Sequence, residues 1–291
     1  LSSNAGIGQT CNKVFIKAMI PTPPIPLQSS APPWSSWEKW LQSPPGRYVL
    51  GWEQHCLDQI VADVFGFHAV QIGLPQLNGL RENRMPMHAL LTHANDNREL
   101  ISRFNWHPIE GNSSEMPFAN ESIDLIVMPH VLEFAADPHQ ILREVDRVLR
   151  PEGRIVISGF NPASLWGAKQ YLSRLIGNPY LPRDGQFISL IRIKDWLQLL
   201  NYSLDRGHFG CYKLPLQSES AMGRMDFLEP MGNRWWPIFG AVFIVSAIKR
   251  HQGMRLIGRV QNARIPSLGQ LSPAAERNKL TSINDPGAEQ Y

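Results

Sequence analysis

Residues 114–162 read SEMPFANESIDLIVMPHVLEFAADPHQILREVDRVLRPEGRIVISGFNP, and this stretch decides the fold. Two apolar runs of strand length, Ile123–Met128 and Arg154–Ser158, flank a helix-length segment, Pro138–Leu149. Ile141, Leu142, Val145, Val148 and Leu149 recur at helical spacing, while Arg143, Glu144, Asp146 and Arg147 fill the opposite face. Pro151 and Gly153 end the helix and turn the chain into the next strand. Strand, helix and strand with short joints make the unit that builds a parallel sheet.

The same stretch carries a family resemblance. Its pieces, in order, are Met116-Pro117-Phe118, Ser122-Ile123-Asp124-Leu125-Ile126, Val131-Leu132-Glu133-Phe134, Asp137-Pro138, Glu144, Arg147-Val148-Leu149 and Pro151-Glu152-Gly153. In this order and spacing they resemble the second half of the class I S-adenosylmethionine-dependent methyltransferases of the type 11 kind. Ile157-Ser158-Gly159-Phe160-Asn161-Pro162, with Asp195-Trp196-Leu197 and Leu199-Leu200-Asn201 further on, resembles the YafS-like branch of bacterial proteins. The likeness runs from about Trp34 to Lys249. It implies an α/β, Rossmann-like fold: a seven-stranded, mainly parallel sheet with helices on both faces.

Composition narrows the function classes. The chain has 291 residues, 43% of them hydrophobic, enough for a substantial core. Its net charge of +3 lies in the ends. Residues 1–33 carry Lys13 and Lys17 and no acid, and residues 251–291 carry five cations against three acids. The middle is therefore close to neutral, which argues against specific nucleic-acid binding. Cys11, Cys56 and Cys211 form neither a metal-ligand spacing nor a disulfide framework, so reduced thiols and a cytoplasmic location are expected. No signal peptide is evident, and the longest apolar run, Ile238–Ile248, is too short to span a bilayer and reads as a buried strand. Proline-rich residues 1–33 read as a disordered extension, 34–250 as the domain and 251–291 as a flexible tail. The chain opens on Leu1, and residues 1–18 are expected to be dispensable.

Along the domain, Trp34–Leu41 reads as a short helix with Trp34, Trp37, Trp40 and Leu41 on one face. Pro44, Pro45 and Gly46 are expected to break the chain before a second helix, Gly51–Phe65. Phe67–Ile72 and Met87–Thr92 read as strands, Ala163–Ile176 and Arg192–Leu200 as helices. Leu204–Leu214 and Ala241–Lys249 read as the last two strands, the second antiparallel. The resemblance implies that the early helices cover the cofactor cleft and that residues 177–186, with Asn178, Tyr180, Arg183 and Asp184, form a substrate lid.

The resemblance also implies the site. The family's glycine-rich loop falls at Gln71-Ile72-Gly73-Leu74-Pro75, where Gly73 permits close backbone approach to the cofactor. Gln71 stands in place of the family's acid, and Pro75 removes a donor next to a loop that a helix N-terminus normally follows. Thr92 and His93 occupy the position of the acid that binds the ribose, with Asp96 as a substitute slightly beyond. Asn112 would accept a hydrogen bond from the adenine amino group, and Ser113 would offer its N–H. Pro129, His130 and Glu133 follow the central strand, at the edge where ligands bind in open parallel sheets. The implied function is methyl transfer from S-adenosylmethionine to a small-molecule acceptor, with His130 and Glu133 as candidate catalytic residues and Gly73, Asp96, Asn112, Ser113, Pro129 and His130 as cofactor contacts. The altered loop favours a second reading, a methyltransferase fold that has lost catalysis and serves as a binding module. No metal is expected.

Overall fold

The computed structural model describes residues 33–92, 104, 106–176 and 185–250. The terminal extensions expected at 1–33 and 251–291 fall outside these residues, save that the first helix begins at Pro33. Seven strands form one sheet: β1 (His68–Ile72), β2 (Met87–Thr92), β3 (His107–Glu110), β4 (Ile123–Pro129), β5 (Leu149–Phe160), β6 (Tyr202–Gly210) and β7 (Val242–Lys249). Their order is β3-β2-β1-β4-β5-β7-β6. β1 to β5 pair in parallel, and β7 runs antiparallel to both β5 and β6. The strand order reverses between β1 and β4, which opens a crevice at their carboxyl ends.

The helices are α1 (Pro33–Leu41), α2 (Pro44–Val61), α3 (Val131–Phe134), α4 (Pro138–Val148), α5 (Leu165–Leu175), α6 (Leu190–Leu199), α7 (Glu219–Gly223) and α8 (Leu228–Trp235). On one face of the sheet, Trp37, Leu41, Leu57 and Ile60 pack with Leu125, Val127, Val156 and Phe160. On the other, Ile141, Val145 and Val148 of α4 and Ile193 and Leu197 of α6 pack with Ile126, Met128, Ile155 and Ile157. Alternate residues of the central strands thus feed opposite cores, so both faces need helical cover and the strands read as unbroken apolar runs.

Two sequence expectations are corrected, and a helix that the family resemblance implies is absent among the described residues. Pro44, Pro45 and Gly46 do not break the chain but form the first turn of α2, with Ser43 as N-cap accepting from the Gly46 N–H at 3.4 Å. Proline suits that turn because its missing N–H would have no intrahelical partner there. Gly46 also abuts Trp40 and Leu41 so closely that a side chain would collide with their backbone. The chain between β1 and β2 forms turns rather than a helix, so no helix N-terminus flanks the Gly73 loop. Pro75 fits the second position of a turn closed by Leu77 N–H to Leu74 C=O at 3.1 Å. β6 ends at Gly210, where Cys211 takes a left-handed φ of 63° and the strand cannot continue to Leu214.

The motif around α4 is a staple. Glu144 accepts from the Met116 N–H at 2.9 Å. Arg147 donates to the carbonyls of Met116 at 3.1 Å and Phe118 at 3.0 Å, to Asn120, and to Glu144 at 2.6 Å. The pair ties the segment leading into β4 onto the helix that leaves it. The hydrogen bond from Arg147 is the main reason that the Glu144 carboxyl sits below its ordinary range. Its stabilising contribution is therefore present above the ordinary carboxylate range and is lost as pH falls through the lowered value. Arg147→Ala is expected to cost about 2 kcal/mol at neutral pH by urea unfolding, with the deficit shrinking in acid as Glu144 protonates. An unchanged unfolding midpoint at neutral pH would contradict the staple.

Candidate active site

A cavity of ≈ 260 Å³ lies at the carboxyl ends of β1, β2 and β4, where the strand order reverses. Small-molecule sites run roughly from 300 to 1,000 Å³, so it lies just below that range. Ile72 to Gln76 form one wall, Thr92 and Gly111 to Ser114 a second, and Pro129 to Val131 a third. Trp37 and Glu38 of α1 line it from above the sheet edge.

Gln71 fixes the first wall. Its side chain is fully buried at the end of β1. Its amide nitrogen, Nε2, shares its two N–H groups among the carbonyls of Gly73 at 3.1 Å, Leu74 at 3.0 Å and Leu77 at 2.8 Å. Its Oε1 accepts from the Gly79 N–H at 2.8 Å. One side chain thereby satisfies both ends of the turn. Three converging carbonyls demand a donor, which a carboxylate lacks and an amide supplies. The loop is tight: Gly73 has φ 65° and Leu74 φ 48°. The left-handed Leu74 costs about 1 kcal/mol, offset by burial of its side chain and by the bond to its carbonyl. A Cβ built on Gly73 meets nothing closer than Val131 Cγ2 at 3.6 Å, so the glycine leaves room on the cavity side of the loop. The turn is further tied to α2 by Gln54, which donates to the Asn78 carbonyl at 2.8 Å and accepts from its N–H at 3.1 Å.

Asn112 and Ser113 line the second wall as expected. Asn112 Oδ1 accepts from the Ser114 N–H at 3.0 Å, which shapes the turn, while the Gly111 N–H bonds the Thr92 carbonyl at 3.0 Å. His93, Asp96 and the expected lid residues Asn178, Tyr180, Arg183 and Asp184 lie outside the described residues. Glu38, which sequence reasoning passed over, is the acidic side chain among the described lining residues. Gln76 donates to its carboxylate at 3.1 Å.

Below the third wall lies a buried ionic group. His130, with φ 55°, precedes the short helix α3 and is 1% exposed. Its Nδ1 lies 2.7 Å from Glu133 Oε2 and its Nε2 3.0 Å from Glu53 Oε1, the latter an ion pair without hydrogen-bond alignment. Glu133 also accepts from the Phe160 N–H. A Cβ on Gly159 would meet Phe243 Cζ at 3.0 Å and Glu133 Oε1 at 3.1 Å, so a side chain there would crowd both. Trp37 packs edge-on to the His130 ring at 5.2 Å, and Phe160 lies 4.6 Å away. Glu53 was missed in the sequence, although an acid among Val49, Cys56, Leu57 and Ile60 on the inward face of α2 was the available signal.

Burial alone would lower the His130 pKa, but Glu53 and then Glu133 outweigh it and raise it to about 10. Desolvation raises the Glu133 carboxyl. The folded His130 pKa exceeds the ordinary value of about 6.5, so its stabilising contribution is complete below that pH and is lost as pH rises through the folded value. His130→Gln removes the cation between two buried acids and is expected to cost about 3 kcal/mol or more. In urea unfolding, its deficit against the native chain should be largest below about pH 6.5 and narrow towards alkaline pH. A deficit independent of pH would contradict an imidazolium at this position.

The chain is similar to known proteins at three levels. Residues 85–157 match the methyltransferase domain family model. YafS of Escherichia coli is 38% identical over 96 residues, which are 33% of this chain and 39% of that protein. Demethylmenaquinone methyltransferase of Listeria monocytogenes is 30% identical over 105 residues, 35% of this chain and 44% of that one. The matches to these two curated relatives thus span less than half of either. The crystal structure of an S-adenosylmethionine-dependent methyltransferase from Thermotoga maritima superposes with a TM-score of 0.53 at 14% identity, covering 75% of this chain and 96% of that one. Strand order, family match and fold likeness agree: the chain has the fold of the class I S-adenosylmethionine-dependent methyltransferases, and over a third of its length it is similar in sequence to YafS.

Proposed function

We propose that the chain binds S-adenosylmethionine in the cavity between Gly73, Asn112 and Pro129 and transfers its methyl group to a small-molecule acceptor. The observation that carries this reading is the cavity at the strand-order reversal, with a left-handed glycine facing it. The residues present fit the cofactor: the Gly73 backbone is open to close approach, and Asn112 and Ser113 present polar groups at the second wall. Glu38 offers a carboxylate in place of the acid absent from Thr92. The noncatalytic reading loses its main support, since Gln71 braces the loop instead of disabling it.

When bound, the cofactor supplies a methyl carbon already activated by the sulfonium charge, so no protein nucleophile is needed. The chain's work is to orient and to exclude water. Trp37 and Phe134 lend apolar surface to the cavity. Both ring nitrogens of His130 face carboxylates, so we assign His130 and Glu133 to positioning: they hold α3 and the third wall against α2 and β5.

Calorimetry with S-adenosylmethionine tests the reading. Binding is expected for the native chain, loss of binding for Gly73→Val, and a weakening of about fivefold for Asn112→Ala, the worth of about 1 kcal/mol. No heat from folded native protein at millimolar ligand would overturn it.

A further inference from the structure

The connection between β6 and β7 carries a surface that the cavity does not use. β6 ends at Gly210 opposite Val242, the residue that also pairs with Phe160 at the end of β5. The whole insertion therefore stands on the carboxyl-end edge of the sheet, the edge that holds the cavity. Within it, Trp235-Trp236-Pro237-Ile238-Phe239 are five consecutive apolar residues, all exposed. Trp235 is 68% exposed and Ile238 64%. Phe227 and Met231 add to the same segment at 57% and 40%. Runs of this kind are excluded from ordinary soluble surfaces unless something covers them.

The segment is held firmly. Asn161 Nδ2 donates to the carbonyls of Ile238 at 2.7 Å and Gly240 at 3.0 Å, and the Tyr212 hydroxyl donates to the Pro237 carbonyl at 2.9 Å. Gly232 lies so close to the Tyr212 ring that any side chain there would collide with it. These contacts fix the backbone and leave the apolar side chains outward.

Charge identifies the occupant. The acids of the insertion are neutralised or turned inward: Glu219 pairs with Arg47, Asp226 lies 2.6 Å from Lys213 Nζ, and Glu229 accepts from the Tyr212 N–H at 3.0 Å. Arg224 and Arg234 are exposed and have no ion pair among the described residues. Adjacent tryptophans, aliphatic and aromatic neighbours and unpaired arginines fit the boundary between headgroups and acyl chains of an anionic bilayer. No helix among the described residues is long and apolar enough to cross a membrane, so the contact would be interfacial.

We propose that Trp235–Phe239, flanked by Arg224 and Arg234, docks the cavity edge of the protein on an anionic lipid surface. The inference stands on the insertion alone and does not require the cofactor reading. Co-sedimentation of the full chain with vesicles of phosphatidylcholine, with and without phosphatidylglycerol, tests it. The native chain should pellet with the mixed vesicles, less so as salt rises, and weakly with phosphatidylcholine alone. The double variant Trp235→Ser/Trp236→Ser should bind at least about tenfold more weakly, and Ile238→Ser/Phe239→Ser should do likewise. Arg224→Glu/Arg234→Glu should abolish the preference for phosphatidylglycerol. Because all six side chains are exposed, each variant should keep its melting temperature and its S-adenosylmethionine binding isotherm. Failure of the native chain to pellet, or undiminished pelleting of the folded tryptophan variant, would overturn the proposal. So would light scattering that shows a native dimer dispersed by the tryptophan variant without lipid, or vesicle binding gained only on deleting residues 251–291. Those results would assign the patch to a second copy or to the chain's own C-terminal segment.

Discussion

The site depends on one buried amide. Gln71 reaches from the end of β1 into a loop whose three carbonyls point back at it, and its own side-chain carbonyl accepts from the Gly79 N–H beyond the turn. Each bond contributes about 1 kcal/mol net, but leaving such groups unpaired in a buried place costs more. That asymmetry keeps Gly73 and Leu74 in left-handed conformations and holds the cavity wall open without a following helix. The residue is part of the wall's construction, and its neutrality follows from what it faces: an ionised carboxylate would accept from Gly79 but repel the three carbonyls.

Around that loop, the cover on the α1–α2 side of the sheet is built from the chain that precedes β1. α1 places Trp37 and Glu38 at the cavity, and α2 carries Glu53 to His130. The Glu53–His130–Glu133 group joins α2 to α3 and, through the Phe160 N–H, to β5. Such a group adds little to stability compared with apolar packing, since burying the charges costs nearly what their attraction returns. Breaking it is expensive, however, because an unpaired carboxylate would remain. Its effect is to fix where three elements meet, directly under the third wall of the cavity.

Much of the fold was legible because its strands are apolar runs and α4 is strongly two-faced. Ile123, Met128 and Arg154–Ser158 lie in adjacent parallel strands of one sheet, as the pattern required. β3 was illegible: His107–Glu110 is four residues long, lies at the sheet edge and is mostly exposed, so it carries no apolar signature. The start of α2 was misread because Pro44-Pro45-Gly46 looks like a breaker, while Ser43 just before it was the cap signal. Among the site residues, Gly73, Asn112, Ser113, Pro129 and His130 all line the cavity. Glu133 lies beneath it, and Asp96 falls outside the described residues. Gln71 read as a loss because a motif specifies residue types and not which groups face them. The carbonyls that make an amide the right side chain belong to Gly73, Leu74 and Leu77, and their directions exist only in the folded loop.

The most direct test of this account is the pH dependence of thermal unfolding in Gln71→Glu. The carboxyl would be buried against three carbonyls, so its folded pKa would rise above the unfolded value of about 4.3. The penalty is then absent in acid, where both states are protonated, and grows as pH rises through that value. The account predicts a melting temperature well below that of the native chain at neutral pH, with the gap closing as pH falls towards about 4. A variant as stable as the native chain at neutral pH would contradict it, because the carbonyls would then not require a donor at residue 71.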